Sequence, residues 1–263
     1  MKDKLKVVAI QSEYYKNITK NLNRAIRLID KYGETSDLIT FPELFSTGYF
    51  MDKNYLDNNS VSVDGKFINT IKEQARKKSV YVVLPFLERY KECIYNSVVI
   101  INRQGHIKGI KRKAINWKAE LGLISEAKLE SNLDVYNIDG FNIGILICYE
   151  ASFPETSRVM ANKDCDAIII PAFWNRKALS HWEIQLRARA LDNNIYVIGV
   201  NGLLENRSCG HTMIVSPNGD IIKSLRKDEG VLSGCLDKAY LIKVRENIPY
   251  FTDYLTYLKK SDN

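Results

Sequence analysis

Short apolar runs alternate with segments of helical periodicity along most of the chain. The run KVVAIQ, at 6–11, is rich in β-formers and is followed by a segment with apolar side chains three or four residues apart. These side chains are Ile18, Leu22, Ile26 and Ile29. Such spacing places them on one face of an amphipathic helix, which we predict to end near Gly33. The next run, DLITFPE, predicts a strand that stops at Pro42.

The same alternation continues to the end of the chain. A helix is predicted around 65–79, and two apolar runs joined by Asp139-Gly140 predict a hairpin. Further predicted strands are VYVVLPF, YNSVVII, a basic strand over 106–114, CDAIIIP and IYVIGVN, and the late helix is HWEIQLRARALDNN. Strands that alternate with helices, with hairpins between them, predict a single α/β domain over 1–263 with a mixed sheet or two sheets.

The composition is typical of a globular protein. Hydrophobic residues make up 45% of the 263 positions and charged residues 26%. No apolar run approaches the roughly 20 residues that span a bilayer. The basic N-terminus is followed by too short an apolar stretch for a signal peptide. We therefore expect a cytoplasmic location and no membrane partner.

The five cysteines are odd in number, widely scattered and without a CxxC pair. This pattern argues against a disulfide framework and against a structural zinc site, both of which need paired spacing. Of the three histidines only His211 lies close to a cysteine, Cys209. The sequence therefore predicts no metal and no disulfide.

The net charge is +7, from 38 basic and 31 acidic residues. The densest basic stretch is KGIKRKAINWK, at 108–118, which contains no acid. No recognised DNA-binding or RNA-binding motif accompanies it, so we read it as a solvated strand edge and expect no nucleic-acid partner.

Three chemically capable side chains follow predicted strands, where ligands collect in α/β folds. Glu43 has apolar neighbours that would raise its pKa toward the range of a general acid or base. Taken singly, Glu43 also fits a loop acid, Lys113 a solvated charge and Cys148 a small core residue. Together they supply a thiol nucleophile, a base and a cation for an oxyanion.

Three motifs in this order identify a family. FPELF.TGY at 41–49, KRK at 111–113 and CYEASFPE at 148–155 resemble the nitrilase superfamily of carbon–nitrogen hydrolases. The resemblance extends from the first strand to about position 259 and includes YNS, RARALDNNIYVIGVN and GHTMIVSPNGDII. It implies a four-layer αββα sandwich, usually assembled as a homodimer or higher homo-oligomer, that needs no metal or organic cofactor.

The resemblance also assigns roles. Cys148 is the expected nucleophile, Glu43 the general base and Lys113 the oxyanion stabiliser, with the backbone N–H of Tyr149 as second oxyanion donor. The family often uses a further glutamate between the lysine and the cysteine. Glu126 in LISEAKLE is the best match, and Glu120 is its competitor.

The substrate is expected to be a small amide. The segments AFWN, HWEIQLRARALDNN and RENIPYF resemble the omega-amidase branch, which deamidates monoamides of short dicarboxylic acids such as 2-oxoglutaramate. A distal carboxylate needs a cation, preferably arginine. The residues expected to bind substrate are Tyr49, Tyr149, Trp174 and Arg176.

Three departures keep other substrates open. The branch places its arginine where this chain has Ala178, and relatives have an imidazole at Ile115 and an arginine at Ser152. The alternatives are an N-carbamoyl amine, an aliphatic amide, transfer of the acyl group to an amine, and a non-catalytic binding relative.

Overall fold

A computed structural model describes residues 2–205 and 207–261 of the chain. Within them the strands are β1 (Lys4–Gln11), β2 (Leu38–Thr40), β3 (Tyr81–Tyr90), β4 (Cys93–Ile101), β5 (Ile107–Arg112), β6 (Val135–Ile138), β7 (Phe141–Ile145), β8 (Ala167–Ala172), β9 (Tyr196–Asn201), β10 (Met213–Val215), β11 (Ile221–Ser224) and β12 (Gly230–Asp237). The helices are α1 (Ile18–Tyr32), α2 (Lys53–Asn59), α3 (Lys66–Lys78), α4 (Pro154–Ala161), α5 (Leu179–Asn193), α6 (Lys238–Asn247) and α7 (Tyr250–Ser261).

The strands form two six-stranded sheets of similar design. The first has the order β12-β1-β2-β3-β4-β5 and the second β11-β10-β9-β8-β7-β6. In each sheet three adjacent strands are parallel, β1-β2-β3 and β7-β8-β9. The strands that flank them, β12, β4, β6 and β10, are antiparallel to them, and the edge strands β5 and β11 are in turn antiparallel to β4 and β10. Of the two arrangements that the sequence left open, the chain therefore adopts two sheets.

The side-chain alternation of β1 explains why the sheets lie between helices. Leu5 and Val7 belong to the core shared with the second sheet, whereas Val8 and Ile10 pack with the apolar face of α1 and α3. Successive side chains of a strand point to opposite faces, so a strand that is apolar on both faces is buried on both. The first sheet is accordingly covered by helices on one face and by a sheet on the other.

The second sheet has its own helical cover. Trp182 and Leu186 of α5 pack so closely on β9 that a Cβ added at Gly199 would lie 2.4 Å from Leu186 Cδ1. Met160 of α4 packs in the same way against β7. The layers are thus helix, sheet, sheet and helix, which confirms the four-layer αββα sandwich predicted from the sequence. In the described residues no helix has the length and apolar character needed to cross a membrane.

Candidate active site

Glu43 lies just beyond the end of β2, in a turn where the next residue, Leu44, has a left-handed backbone with φ 49°. None of the Glu43 side chain is exposed. Its Oε1 accepts hydrogen bonds from Lys113 Nζ and Asn96 Nδ2, each at 2.8 Å, and its Oε2 accepts one from the backbone N–H of Phe173 at 2.9 Å. The carboxylate is therefore held from three directions.

Lys113 is also completely buried. Its backbone N–H donates to the carbonyl oxygen of Asn96 at 2.8 Å, which continues the β4–β5 pairing by one residue. Its ammonium group lies 2.8 Å from Glu43 Oε1 and 2.7 Å from Glu120 Oε2. The ammonium therefore lies between two carboxylates, and the interpretation of this lysine as a solvated charge is wrong.

Glu120, and not Glu126, lies beside the lysine. Glu120 is buried, accepts from Lys113 Nζ with both oxygens, and accepts from the backbone N–H of Trp117 at 2.7 Å. Glu126 is exposed, and its Oε1 accepts from the backbone N–H of Asn116 at 2.9 Å. The expectation for Glu126 therefore fails on geometry, because its loop carries the side chain outward.

Cys148 begins a 3-10 turn, Cys148–Ser152, after the chain leaves β7. Its backbone is left-handed, with φ 50°, a conformation that a residue with a Cβ rarely adopts and that marks functional turns. The thiol lies beside the Glu43 carboxylate and acts to lower its pKa, against the larger opposite effect of burial. Only 8% of the residue is exposed, and that surface faces a cavity.

The buried charges shift one another's proton affinities. Burial raises the pKa of Glu43, against the opposing effect of Lys113. Burial alone would lower the pKa of Lys113, but the carboxylates of Glu43 and Glu120 outweigh it and raise that pKa. Burial and the charge of Glu43 raise the pKa of the Cys148 thiol. The resting site therefore holds a neutral thiol beside a carboxylate and an ammonium.

The cavity above Cys148 has a volume of about 990 Å³. All four residues expected to bind substrate line it, together with residues that the motifs did not indicate. The expected ones are Tyr49, Tyr149, Trp174 and Arg176, and among the others are Trp117, Lys177, Gln185 and Arg207. No aspartate or glutamate is among its described lining residues, so the charge that faces the cavity is positive.

Aromatic rings build one wall of the cavity. The rings of Tyr49 and Phe173 stack with centroids 4.8 Å apart, and the guanidinium of Arg207 lies 5.7 Å from the centre of the Phe173 ring. The backbone N–H of Arg176 donates to the carbonyl oxygen of Arg207 at 3.0 Å. This bond places two arginines on adjacent segments that line the same cavity.

The departures from the family pattern differ in position. Ser152 and Ala178 line the cavity, and the Ser152 hydroxyl donates to Gln185 Oε1 at 3.2 Å. Ile115 is not among the described residues that line the cavity.

The basic stretch is only in part a solvated edge, because Lys108 and Lys118 are exposed whereas Lys111, Arg112 and Lys113 are paired inside the fold. Lys111 Nζ lies 2.8 Å from Glu150 Oε1, and Arg112 Nη2 lies 2.6 Å from Glu88 Oε1; both glutamates are completely buried. With Lys113, each cation of the KRK motif has its own carboxylate partner. The positive charge of this motif is thus neutralised inside the fold. In the described chain no group of three or more His, Cys, Asp or Glu side chains could hold a metal ion.

Comparison with known proteins places this geometry in context. The family model described as carbon–nitrogen hydrolase matches residues 6–246. A 2-oxoglutaramate amidase from Bacillus subtilis is 30% identical over 245 residues, which cover 91% of this chain and 93% of the relative. The omega-amidase NIT2-A from Xenopus laevis is 28% identical over 243 residues, 87% of each chain.

Solved structures show the same fold. Nit3 of Saccharomyces cerevisiae, described as a member of branch 10 of the nitrilase superfamily, superposes with a TM-score of 0.85 at 24% identity and covers 95% of this chain and 96% of its own. An amidase from Nesterenkonia sp. superposes with a TM-score of 0.80 at 20% identity, over 94% and 96% of the two chains.

Proposed function

The chain belongs to the carbon–nitrogen hydrolase family, and we propose that it is a cysteine-dependent amidase that releases ammonia from a small linear amide through a thioester. One observation carries the proposal. Cys148 faces the cavity while its thiol contacts Glu43, whose carboxylate is 2.8 Å from Lys113 Nζ. A nucleophile, a base and a cation thus meet at one point, as nucleophilic acyl transfer requires.

The first step is attack by the thiol. Because the pKa of Cys148 is raised, the thiol keeps its proton until substrate binds, and Glu43 accepts that proton as sulfur bonds to the amide carbon. The raised pKa of Glu43 suits this role, since a base works best when its proton affinity approaches the working pH.

The second step is stabilisation of the oxyanion. The carbonyl oxygen gains negative charge in the tetrahedral intermediate, and the ammonium of Lys113 and the backbone N–H of Tyr149 supply the positive end. Preorganised donors in a dry site are usually the largest single contribution to such catalysis. Glu120 holds the ammonium in place with two hydrogen bonds at 2.7 and 2.9 Å.

The third step completes turnover. The C–N bond breaks, the nitrogen takes the proton from Glu43, and ammonia leaves the thioester. Water then attacks the thioester carbon while Glu43 takes its proton. Collapse of the second intermediate breaks the C–S bond and returns the proton to sulfur, which releases a carboxylic acid.

We propose that the substrate carries a carboxylate at the end remote from the amide. Arg176, Lys177 and Arg207 line the cavity, and arginine binds carboxylates through paired hydrogen bonds. The relatives named as 2-oxoglutaramate amidase and omega-amidase agree with such a substrate. The omega-amidase branch places an arginine at the position of Ala178, which has no charge. Arg207 supplies a cation to the same cavity instead.

A panel of amides tests the function. Ammonia release is measured with 2-oxoglutaramate, succinamate, a neutral amide of equal length and an N-carbamoyl amine, for the wild type and for Cys148→Ala. We expect the wild type to hydrolyse the carboxylate-bearing amides and Cys148→Ala to hydrolyse none of them. Equal turnover by Cys148→Ala would end the proposal, and preference for the carbamoyl compound would move the substrate class.

Water or an amine can accept the acyl group. Adding an amine acceptor to the panel and searching for the amide product by mass spectrometry separates the hydrolase from an acyltransferase. We expect the free acid to be the main product at low amine concentration.

A homodimer in the cytoplasm is part of the proposal. Val159 of α4, Ile184 of α5 and Tyr257 of α7 are 38%, 64% and 70% exposed on helices that contact one another. Exposed apolar side chains on neighbouring helices are typical of an association surface. All five cysteines are free, which suits a reducing compartment. Light scattering should give twice the chain mass, and Ile184→Asp should lower it.

A further inference from the structure

Glu150 is a buried carboxylate that lies behind the candidate site. None of it is exposed, and it is not among the described residues that line the cavity. Its Oε1 accepts hydrogen bonds from Lys111 Nζ at 2.8 Å and from the backbone N–H of Ala114 at 2.7 Å. Its Oε2 accepts from the backbone N–H of Ile147 at 2.7 Å.

These three donors come from both halves of the sandwich. Lys111 belongs to β5 of the first sheet, and Ala114 follows directly after Lys113. Ile147 follows β7 of the second sheet and directly precedes Cys148. One carboxylate therefore joins the segment that carries the oxyanion cation to the turn that carries the nucleophile.

The turn requires such support. The left-handed backbone of Cys148 is unfavourable for a residue with a Cβ and persists only where neighbouring contacts impose it. Glu150 supplies two of these contacts, since its side chain binds the N–H of Ile147 and its own N–H donates to the Ile147 carbonyl oxygen at 3.1 Å.

We propose that Glu150 is a positioning residue that sets the place of the Cys148 thiol relative to the Lys113 ammonium. The charge of the carboxylate is essential to this role, because all three groups that face it are donors. A glutamine can turn only one oxygen toward them, and its NH₂ group must then face an N–H or the ammonium of Lys111. At least one of the two segments is released.

The test compares Glu150→Gln with Glu88→Gln. Glu88 is a matched control because it is equally buried and pairs with Arg112 of the same strand, yet it does not contact the nucleophile turn. Turnover is measured at a temperature where circular dichroism shows both variants folded. We expect kcat of Glu150→Gln to fall about 100-fold below that of Glu88→Gln, with KM nearly unchanged, the loss expected of a misplaced nucleophile.

A second variant separates positioning from folding. Glu150→Gln leaves the Lys111 ammonium buried without its partner, so Lys111→Met is combined with it to remove that charge. A positioning role predicts that the double variant recovers thermal stability but not kcat. Recovery of both, or equal kcat in Glu150→Gln and Glu88→Gln, would overturn the proposal.

The proposal draws its chemistry from the amidase function but can fail independently of it. The rate at which iodoacetamide alkylates Cys148, followed by mass spectrometry, needs no substrate. We expect this rate to be at least about tenfold lower in Glu150→Gln than in Glu88→Gln, because a displaced thiol loses its base. An alkylation rate in Glu150→Gln equal to that in Glu88→Gln would refute the positioning role of Glu150. If the rates differ but the wild type hydrolyses no amide, only the amidase proposal is refuted.

Discussion

Lys113 Nζ lies 2.8 Å from Glu43 Oε1, and neither side chain exposes any surface to solvent. Two opposite charges taken out of water are costly unless further hydrogen bonds satisfy them. Here Asn96 and the N–H of Phe173 complete the shell of Glu43. Glu120 completes that of Lys113. Hydrogen bonds therefore satisfy both charges of this pair inside the sandwich.

Lys113→Met should destabilise the fold. It leaves two buried carboxylates together without a cation, and loss of one partner from a buried ion pair costs about 3–5 kcal/mol. Burial and the charge of Glu120 then raise the pKa of Glu43 in the folded state without the opposing effect of the lysine. The folded variant binds protons that the unfolded chain has lost, so its stability decreases as pH rises above about 4.3, the ordinary glutamate value.

Urea unfolding at pH 5 and pH 8 checks this prediction. The deficit relative to the wild type should be larger at pH 8. Lys108→Met, which removes an exposed lysine of β5, serves as the control and should lie within about 0.5 kcal/mol of the wild type at both values. A deficit in the free energy of unfolding that is equal at both pH values would mean that loss of the lysine does not disfavour the ionised carboxylates.

The loss of activity at acidic pH should follow the protonation of Glu43. Its pKa is raised, and it must be ionised to take the thiol proton, so kcat/KM should fall as pH decreases with a midpoint above about 4.3. A neutral amide is used as substrate, since its own charge does not change. A midpoint at or below the ordinary glutamate value contradicts the assigned base.

Glu120→Gln and Glu126→Gln distinguish the two candidate accessory glutamates. Glu120 orients Lys113, so its replacement should lower kcat about 100-fold, the order found when an oxyanion donor is lost. Glu126 is exposed and, among the residues that the structure describes, binds the N–H of Asn116, so its replacement should leave kcat within about twofold. A larger loss of kcat in Glu126→Gln than in Glu120→Gln would show that Glu126 is the accessory glutamate.

Arg176→Met and Arg207→Met should change selectivity more than catalysis. Each removes a cation that lines the cavity, and a hydrogen bond to a charged group contributes about 1.5–3 kcal/mol. KM for succinamate should therefore rise about tenfold or more, while KM for a neutral amide of the same length stays constant. Equal effects on both substrates would show that the arginines do not meet the carboxylate.

The parts of the site that follow strands could be predicted from the sequence. Glu43, Lys113 and Cys148 each follow a run whose pattern predicts a strand, and ligands collect beyond the carboxyl ends of strands in α/β folds. The two faces of β1, apolar on both sides, likewise indicate a strand buried between layers.

The parts carried by irregular loops could not. The segment 114–129 has no periodic pattern, so nothing in it distinguishes the inward Glu120 from the outward Glu126. Arg207 lines the cavity because a backbone hydrogen bond joins its segment to that of Arg176, although the two residues are distant in the sequence. The partner of Lys111, Glu150, is 39 positions away, and such pairings appear only when the sheets stack.

Measuring the mass of the protein during turnover tests most directly whether Cys148 forms the thioester. Wild-type enzyme is mixed with succinamate, quenched in acid within the first turnovers and digested for peptide mapping. We predict an added acyl group on the peptide that contains Cys148, lost on longer incubation as free acid appears, and no such adduct in Cys148→Ala. Ammonia release with the same rate in both proteins and no adduct on Cys148 would contradict the account.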